Sequence, residues 1–127
     1  MSAVFNFEKL EVYKKSLLFA NKIYNLTKSW PREYNHSLID QIRRAALSIA
    51  LNVAEGSART PLEFKRFITI SRGSVHECVP VLEIAEKQGI IEKSQKEELL
   101  QELEILSKML SGLKKSLISH NSAPHNT

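Results

Sequence analysis

The chain has few of the residues that interrupt helices: four glycines and four prolines in 127 positions, against average usage of roughly 7% Gly and 5% Pro. Sheet-rich domains use turn residues freely, so this shortage points to long helices. There is one cysteine, which excludes an internal disulfide framework. No run approaches the ~18 consecutive apolar residues of a membrane-spanning helix, so no membrane association is expected. The first nine residues lack a basic segment followed by an apolar run, so no secretory signal is read and the cytoplasm is the expected compartment. The length suits one domain, or one domain with a tail.

What is present is helical periodicity. Apolar residues make up 43% of the chain and charged residues 25%, as in ordinary globular proteins. A first helix is predicted from about Lys9 to Lys28. Leu10, Tyr13, Leu17, Ala20 and Tyr24 form its core stripe, widened by Val12, Phe19, Ile23 and Leu26. Ser29-Trp30-Pro31 ends it. A second helix is predicted from Glu33 or Ser37 to Glu55, with Leu38, Ile42, Ala45, Ala46, Ile49 and Val53 inward and Gly56 as its C-cap glycine. A third starts at a capping box, Thr60-Pro61-Leu62-Glu63. It places Phe64, Phe67, Ile68, Val75, Cys78, Val79, Leu82 and Ala85 on one side and stops before Gly89. Pro80 lies inside it, where a kink near His76 is expected. A second capping box, Ser94-Gln95-Lys96-Glu97, opens a fourth helix with Leu99, Leu103, Leu106, Leu110, Leu113 and Leu117 at heptad spacing. The fold class predicted is all-α, an antiparallel up-down four-helix bundle over residues 1–119. Residues 120–127 have no apolar pattern and are expected to be a disordered tail.

Catalytic and metal chemistry find little support. His76-Glu77 resembles the start of a zinc-binding H-E-x-x-H helix, but position 80 is Pro and the second ligand is missing. Glu33-x-x-His36 stands alone, whereas di-iron bundles need such pairs twice. No glycine-rich phosphate loop occurs. Cys78 falls on an apolar face and reads as a small buried side chain. No catalytic residue, metal or cofactor is expected. Arg72 and His76 share a helix face, but the spacing fails the Arg-(four to six residues)-His pattern of helical metal-independent ribonucleases of the HEPN type, the least favoured reading.

Two features stand above this background. Arg43, Arg44, Arg59, Lys65, Arg66 and Arg72 are concentrated in the middle of the chain, and arginine suits bidentate phosphate contact. Residues 1–75 carry 12 basic and 6 acidic groups, residues 76–127 carry 6 and 8. Such asymmetry favours a polyanion partner, a nucleic acid; internal ion pairing is the alternative. The second feature is apolar excess. With Leu38 at zero, the core stripe of the second helix centres near about 40°, while Leu47 and Leu51 fall near about 180–220°. Ile70 and Ile84 are similarly off the main face of the third helix. These four are expected to form an oligomer interface. Between the two features Gln41, Ser48, Asn52 and Glu55 form a polar stripe, read as a structural hydrogen-bond network with Arg59 or Arg72 as the partner of Glu55.

The ordered series Gln41-Ile42-Arg43-Arg44-Ala45-Ala46-Leu47-Ser48-Ile49, Asn52-Val53-Ala54-Glu55-Gly56, Arg59, Phe64, Phe67 and Arg72-Gly73-Ser74 with Glu77 resembles the bacterial four-helix bundle proteins encoded within intervening sequences of large-subunit ribosomal RNA genes. Leu10-Glu11-Val12-Tyr13 and Pro31-x-Glu33 also match. The resemblance covers about residues 5–92 in pattern and the fourth helix by type; His76, Cys78 and Pro80 depart from it. It implies an up-down bundle assembling as a ring of five, with no catalytic residues. A similar protein, the accessory variability determinant of diversity-generating retroelements, binds nucleic acid and a reverse transcriptase through a basic surface. The expected function is therefore that of a non-enzymatic homo-oligomer binding nucleic acid, RNA in particular, through its basic residues. The alternative is an oligomeric scaffold that docks a protein partner.

Overall fold

The computed structural model describes residue 7 and residues 10–122, with side chains to residue 117. Among these, four long helices and no strand occur: α1 Glu11–Thr27, α2 Asp40–Ser57, α3 Pro61–Lys87 and α4 Lys93–Ser122. Each helix packs on the next, and a lighter α1–α4 contact closes the bundle. The cross-links fix the antiparallel direction. Ser71 Oγ donates to the Ile49 carbonyl and Ser74 Oγ bonds Ser48 Oγ, each at 2.8 Å. Lys96 reaches Glu86 and Lys114 reaches Thr69 across α3–α4. The all-α up-down bundle is the architecture expected. The α4 helix runs through Ser122, into the segment expected to be tail; residues 123–127 lie outside the described residues.

The core is one cluster drawn from all four helices. Ile42, Ile49 and Val53 of α2 and Leu103, Leu106 and Leu110 of α4 are fully buried, each contributing about 1.5–3 kcal/mol of transfer free energy. The α4 seam is as predicted, with Leu113 and Leu117 half-buried at its end.

Helix α1 is turned relative to expectation. Its buried residues are Val12, Ser16, Phe19, Ala20, Ile23 and Thr27, while Leu17 and Tyr24 face out at 41% and 37% exposure. Two apolar stripes of similar quality lie on this helix. Only the hydroxyls of Ser16 and Thr27, which bond back to Tyr13 and Ile23 carbonyls and so bury without loss, allow the second stripe to face inward.

The caps divide between expectation and correction. Thr60 forms the full capping box with Glu63. Gly89 has φ +73°, and Ile90 and Gly89 N–H groups bond the Ala85 and Glu86 carbonyls; this is a Schellman ending. Gly56 is not a C-cap. It is buried inside α2, and a Cβ there would sit 2.6 Å from Phe67 Cβ and 2.8 Å from Phe64 Cδ1; its function is to let α3 approach. Ser94 lies inside α4, which begins at Lys93; the Glu92 N–H is met instead by Gln95 Oε1 at 3.4 Å. Helix α3 passes through Pro80 without interruption. A short 3₁₀ turn at Arg32–Tyr34 and a π turn at Asn35–Ile39 lead into α2.

Candidate nucleic-acid interface

The six basic residues named from sequence fall on different surfaces. Arg43 is turned against α1: its Nε donates to Thr27 Oγ1 at 2.8 Å, its Nη2 to the Tyr24 carbonyl at 3.3 Å, and its guanidinium lies 4.9 Å from the Tyr24 ring centre. It satisfies the carbonyl end of α1. Arg44 is exposed on the outer face of α2, 3.6 Å from Asp40. Arg59 pairs with Glu55 and stacks 5.2 Å from the Phe67 ring centre. Its pKa is raised, first by the hydrogen bond to Glu55. Lys65 and Arg66, on the first turns of α3, make no side-chain hydrogen bond or ion pair among the described residues; the charge of Arg66 does reach Glu63. Arg72 is half-buried, and its Nε has no hydrogen-bond partner among the described residues.

Arg59, Lys65 and Arg66 lie at the end of the α2–α3 turn, Arg72 stands midway along the bundle beside Ser71, which bonds Ile49 of α2, and Arg43 and Arg44 stand towards the other end. The antiparallel α3–α4 hairpin adds Lys114 and Lys115 to the half nearer that turn, and Lys108 at the middle, level with Val75 by the Lys114–Thr69 register. Residues 58–75 and 106–117 together hold seven basic groups and one acidic; residues 76–105, the rest of the hairpin, hold three basic and eight acidic. The charge asymmetry read along the chain is therefore an end-to-end polarity in space. Sequence reasoning missed the three lysines because it divided the chain at residue 75, and α4 folds its basic half back beside the basic half of α3. The signal was available in the absence of any acidic residue after Glu104.

Between α3 and α4, near the middle of the hairpin, is an open groove of about 540 Å³. Arg72 enters it from α3. Ser107, Ser111 and Gly112 of α4 line it, and Lys108 and Lys115 stand on either side. Glu104 closes one end, 3.2 Å from Lys108. Lys114 crosses the seam to Thr69 Oγ1 at 2.8 Å.

The polar stripe divides as well. Asn52 Nδ2 donates to the Ser48 carbonyl and hydroxyl at 2.8 and 2.9 Å, and Ser48 meets Ser74. Glu55 turns to Arg59, and Gln41 is exposed. Of the four apolar positions, Leu51, Ile70 and Ile84 are 57%, 49% and 44% exposed and Leu47 is half-buried. Leu51 lies two residues from Ile49 and Ile70 one from Ser71, so the bonded pair sets them level. Leu17 falls level with Leu51, two turns along each helix from the Arg43–Tyr24 contact. At this level of the bundle α1, α2 and α3 each present an exposed apolar side chain, a transverse band in which Leu17 is a member the sequence did not suggest.

His76 is exposed, its Nδ1 2.8 Å from the Arg72 carbonyl. Cys78 is fully buried, and burial pushes its thiol pKa up to about 12. Among the described residues no three His, Cys, Asp or Glu side chains converge on a metal position, and no helix is long and apolar enough to cross a membrane.

Fold and surface define a small antiparallel helical bundle with a polarised α3–α4 hairpin. The chain belongs to the 23S rRNA-intervening sequence protein family, whose model matches residues 8–112. Its fold is also that of a crystal structure from Bacteroides thetaiotaomicron, described as a protein of unknown function from the S23 ribosomal protein family. The two are 27% identical with a TM-score of 0.75, covering 82% of this chain and 95% of the other. No curated protein matches the chain.

Proposed function

We propose that this protein is a non-enzymatic, self-associating bundle that binds RNA through phosphate contacts at the basic end of the α3–α4 hairpin. The observation that supports this reading is the charge separation over residues 58–117: seven basic groups against one acidic in the half nearer the α2–α3 turn, three against eight in the other half. A backbone polyanion is attracted to the first half and repelled from the second. The family description names 23S rRNA, which favours RNA over DNA. Phosphate contacts position a polynucleotide without reading bases, so binding is largely independent of sequence.

Lys65, Arg66, Arg72, Lys114 and Lys115 are the principal contacts on this reading, with Arg59 and Arg44 secondary because each already has a carboxylate partner. Arg43 is held by α1 and contributes little. Self-association through Leu17, Leu47, Leu51, Ile70 and Ile84, as in a ring of five, repeats the basic end and converts weak contacts into avid ones.

Fluorescence anisotropy with a labelled single-stranded RNA tests this. Log K is expected to fall with log salt at about −0.7 per phosphate neutralised. Lys65→Glu with Arg66→Glu is expected to weaken binding far more than Arg44→Glu. Affinity indifferent to salt and to the double reversal would refute RNA binding and favour the protein-docking scaffold. RNA cleavage abolished by His76→Ala would replace both with a ribonuclease.

A further inference from the structure

The geometry points to the α3–α4 groove as a seat for a single phosphoryl group, with the Arg72 guanidinium as its principal donor. The inference rests on reading the basic residues of α3–α4 as a phosphate-binding surface and goes further, because it assigns one position in an open groove rather than a field.

Three observations converge on it. Arg72 is half-buried with an Nε–H that is shielded from water and meets no acceptor among the described residues. An unmet charged donor is costly, and an anion bound beside it removes that cost. Level with Arg72 is Ser111: Arg72 lies three residues after Thr69 and Ser111 three before Lys114, the pair bonded across the seam. The Ser111 hydroxyl supplies a neutral donor. Lys108 and Lys115 are seven residues apart on α4, two turns, and flank Ser111 on one stripe. Gly112 leaves the mouth open; a Cβ there would meet nothing within 4 Å.

The charge count identifies the ligand class. Arg72, Lys108 and Lys115 against Glu104 leave a formal +2 around the groove, matched by a phosphoryl dianion and excessive for a carboxylate. The planar guanidinium fits two phosphoryl oxygens at once. The phosphoryl group comes either from a free phosphate or from a polynucleotide, and the two sources are separable.

The full-length protein, labelled with ¹⁵N, would be titrated with inorganic phosphate at constant ionic strength and followed by two-dimensional NMR. Saturable shifts are expected at the Arg72 Nε–H and at the Ser107, Ser111 and Gly112 amides. Arg72→Gln is expected to weaken phosphate binding about tenfold, the loss of one charge-assisted contact. Gly112→Glu, which places a carboxylate in the mouth where there is free space, is expected to abolish it with the fold intact. Shifts that never saturate, that spread evenly over all lysines, or that survive both variants would overturn the seat.

A second arm repeats the labelled-RNA measurement on both variants. A salt slope shallower by about 0.7 in Arg72→Gln, with phosphate displacing RNA, assigns the seat to a polynucleotide phosphate. Saturable phosphate binding lost in Arg72→Gln, with RNA affinity unchanged, assigns it to a small phosphate. Phosphate seated in the groove with no RNA bound at all supports the seat and refutes the RNA reading.

Discussion

Single residues in this bundle act through the space their backbone position leaves. Gly56 and Gly73 are both helical glycines, and helix propensity alone predicts that replacing either by alanine stabilises by about 1 kcal/mol. The surroundings reverse the sign at one of them. A Cβ on Gly56 meets Phe67 Cβ at 2.6 Å and Phe64 Cδ1 at 2.8 Å; a Cβ on Gly73 meets nothing within 4 Å. Gly56→Ala is therefore expected to destabilise by about 2 kcal/mol through overpacking, and Gly73→Ala to stabilise by about 0.5–1 kcal/mol. Urea denaturation of the two variants measures both. Arg43 makes a related point: a guanidinium that reads from sequence as part of a phosphate-binding set is bound to Thr27 and Tyr24, so its side chain serves the end of α1.

At the scale of the element, α3 depends on its first turn. Thr60 Oγ1 accepts from the Glu63 N–H at 3.2 Å, and the Glu63 carboxylate accepts from the Thr60 N–H at 3.3 Å. The Thr60 backbone bond, then the Thr60 hydroxyl, hold the Glu63 pKa below its ordinary value. A depressed carboxylate pKa stabilises the fold above the unfolded value of about 4.5, and that contribution disappears as pH falls through the lower folded value. Glu86, held down first by its hydrogen bond from Lys96, has the same sign and ties the other end of α3 to α4. The protection factors of the Glu63 and Phe64 amides, exchange rates corrected for the intrinsic pH dependence, are expected to fall below about pH 4.5 in the wild type. In Thr60→Ala this protection is expected to be low at all pH values, with about 1 kcal/mol lost overall. Protection factors independent of pH in the wild type would show that the box contributes nothing.

At the scale of the whole molecule, the surfaces left after the core is made include the apolar band of α1, α2 and α3 and the basic half of α3–α4. The band holds Leu17, Leu51 and Ile70 at 41%, 57% and 49% exposure, apolar side chains that an assembly of copies would cover. Leu51→Lys is expected to dissociate an assembly formed through this band while leaving helicity and melting of the bundle nearly unchanged, because Leu51 lies outside the core. Light scattering with circular dichroism measures both; a monomeric wild type would show that the band has another role. Dissociation is expected to reduce RNA avidity while leaving each subunit the contacts of the α3–α4 groove, Arg72 and Lys115.

The fold was legible in the sequence because helical periodicity and caps are local. The α4 leucines, the Thr60 box and the Gly89 stop are read within one or two turns of chain, and the structure has them where the pattern puts them. Composition likewise carried the helical class and the net charge of +4. Other features required the helices to be placed against one another. Two apolar stripes competed on α1, and only packing decided that Phe19 and Ile23 face in and Leu17 and Tyr24 face out. Gly56 had the position of a cap and became a contact, because its neighbour is Phe67 of the next helix. The candidate site needed most from tertiary structure: Arg72 and Lys115 are 43 residues apart in the chain, and antiparallel packing brings them to one groove. Sequence by itself determined the elements, their order and the amount of charge. The tertiary structure decided which faces are hidden and where the charges meet, because burial and electrostatic fields depend on distance in space, and periodicity reports only distance along the chain.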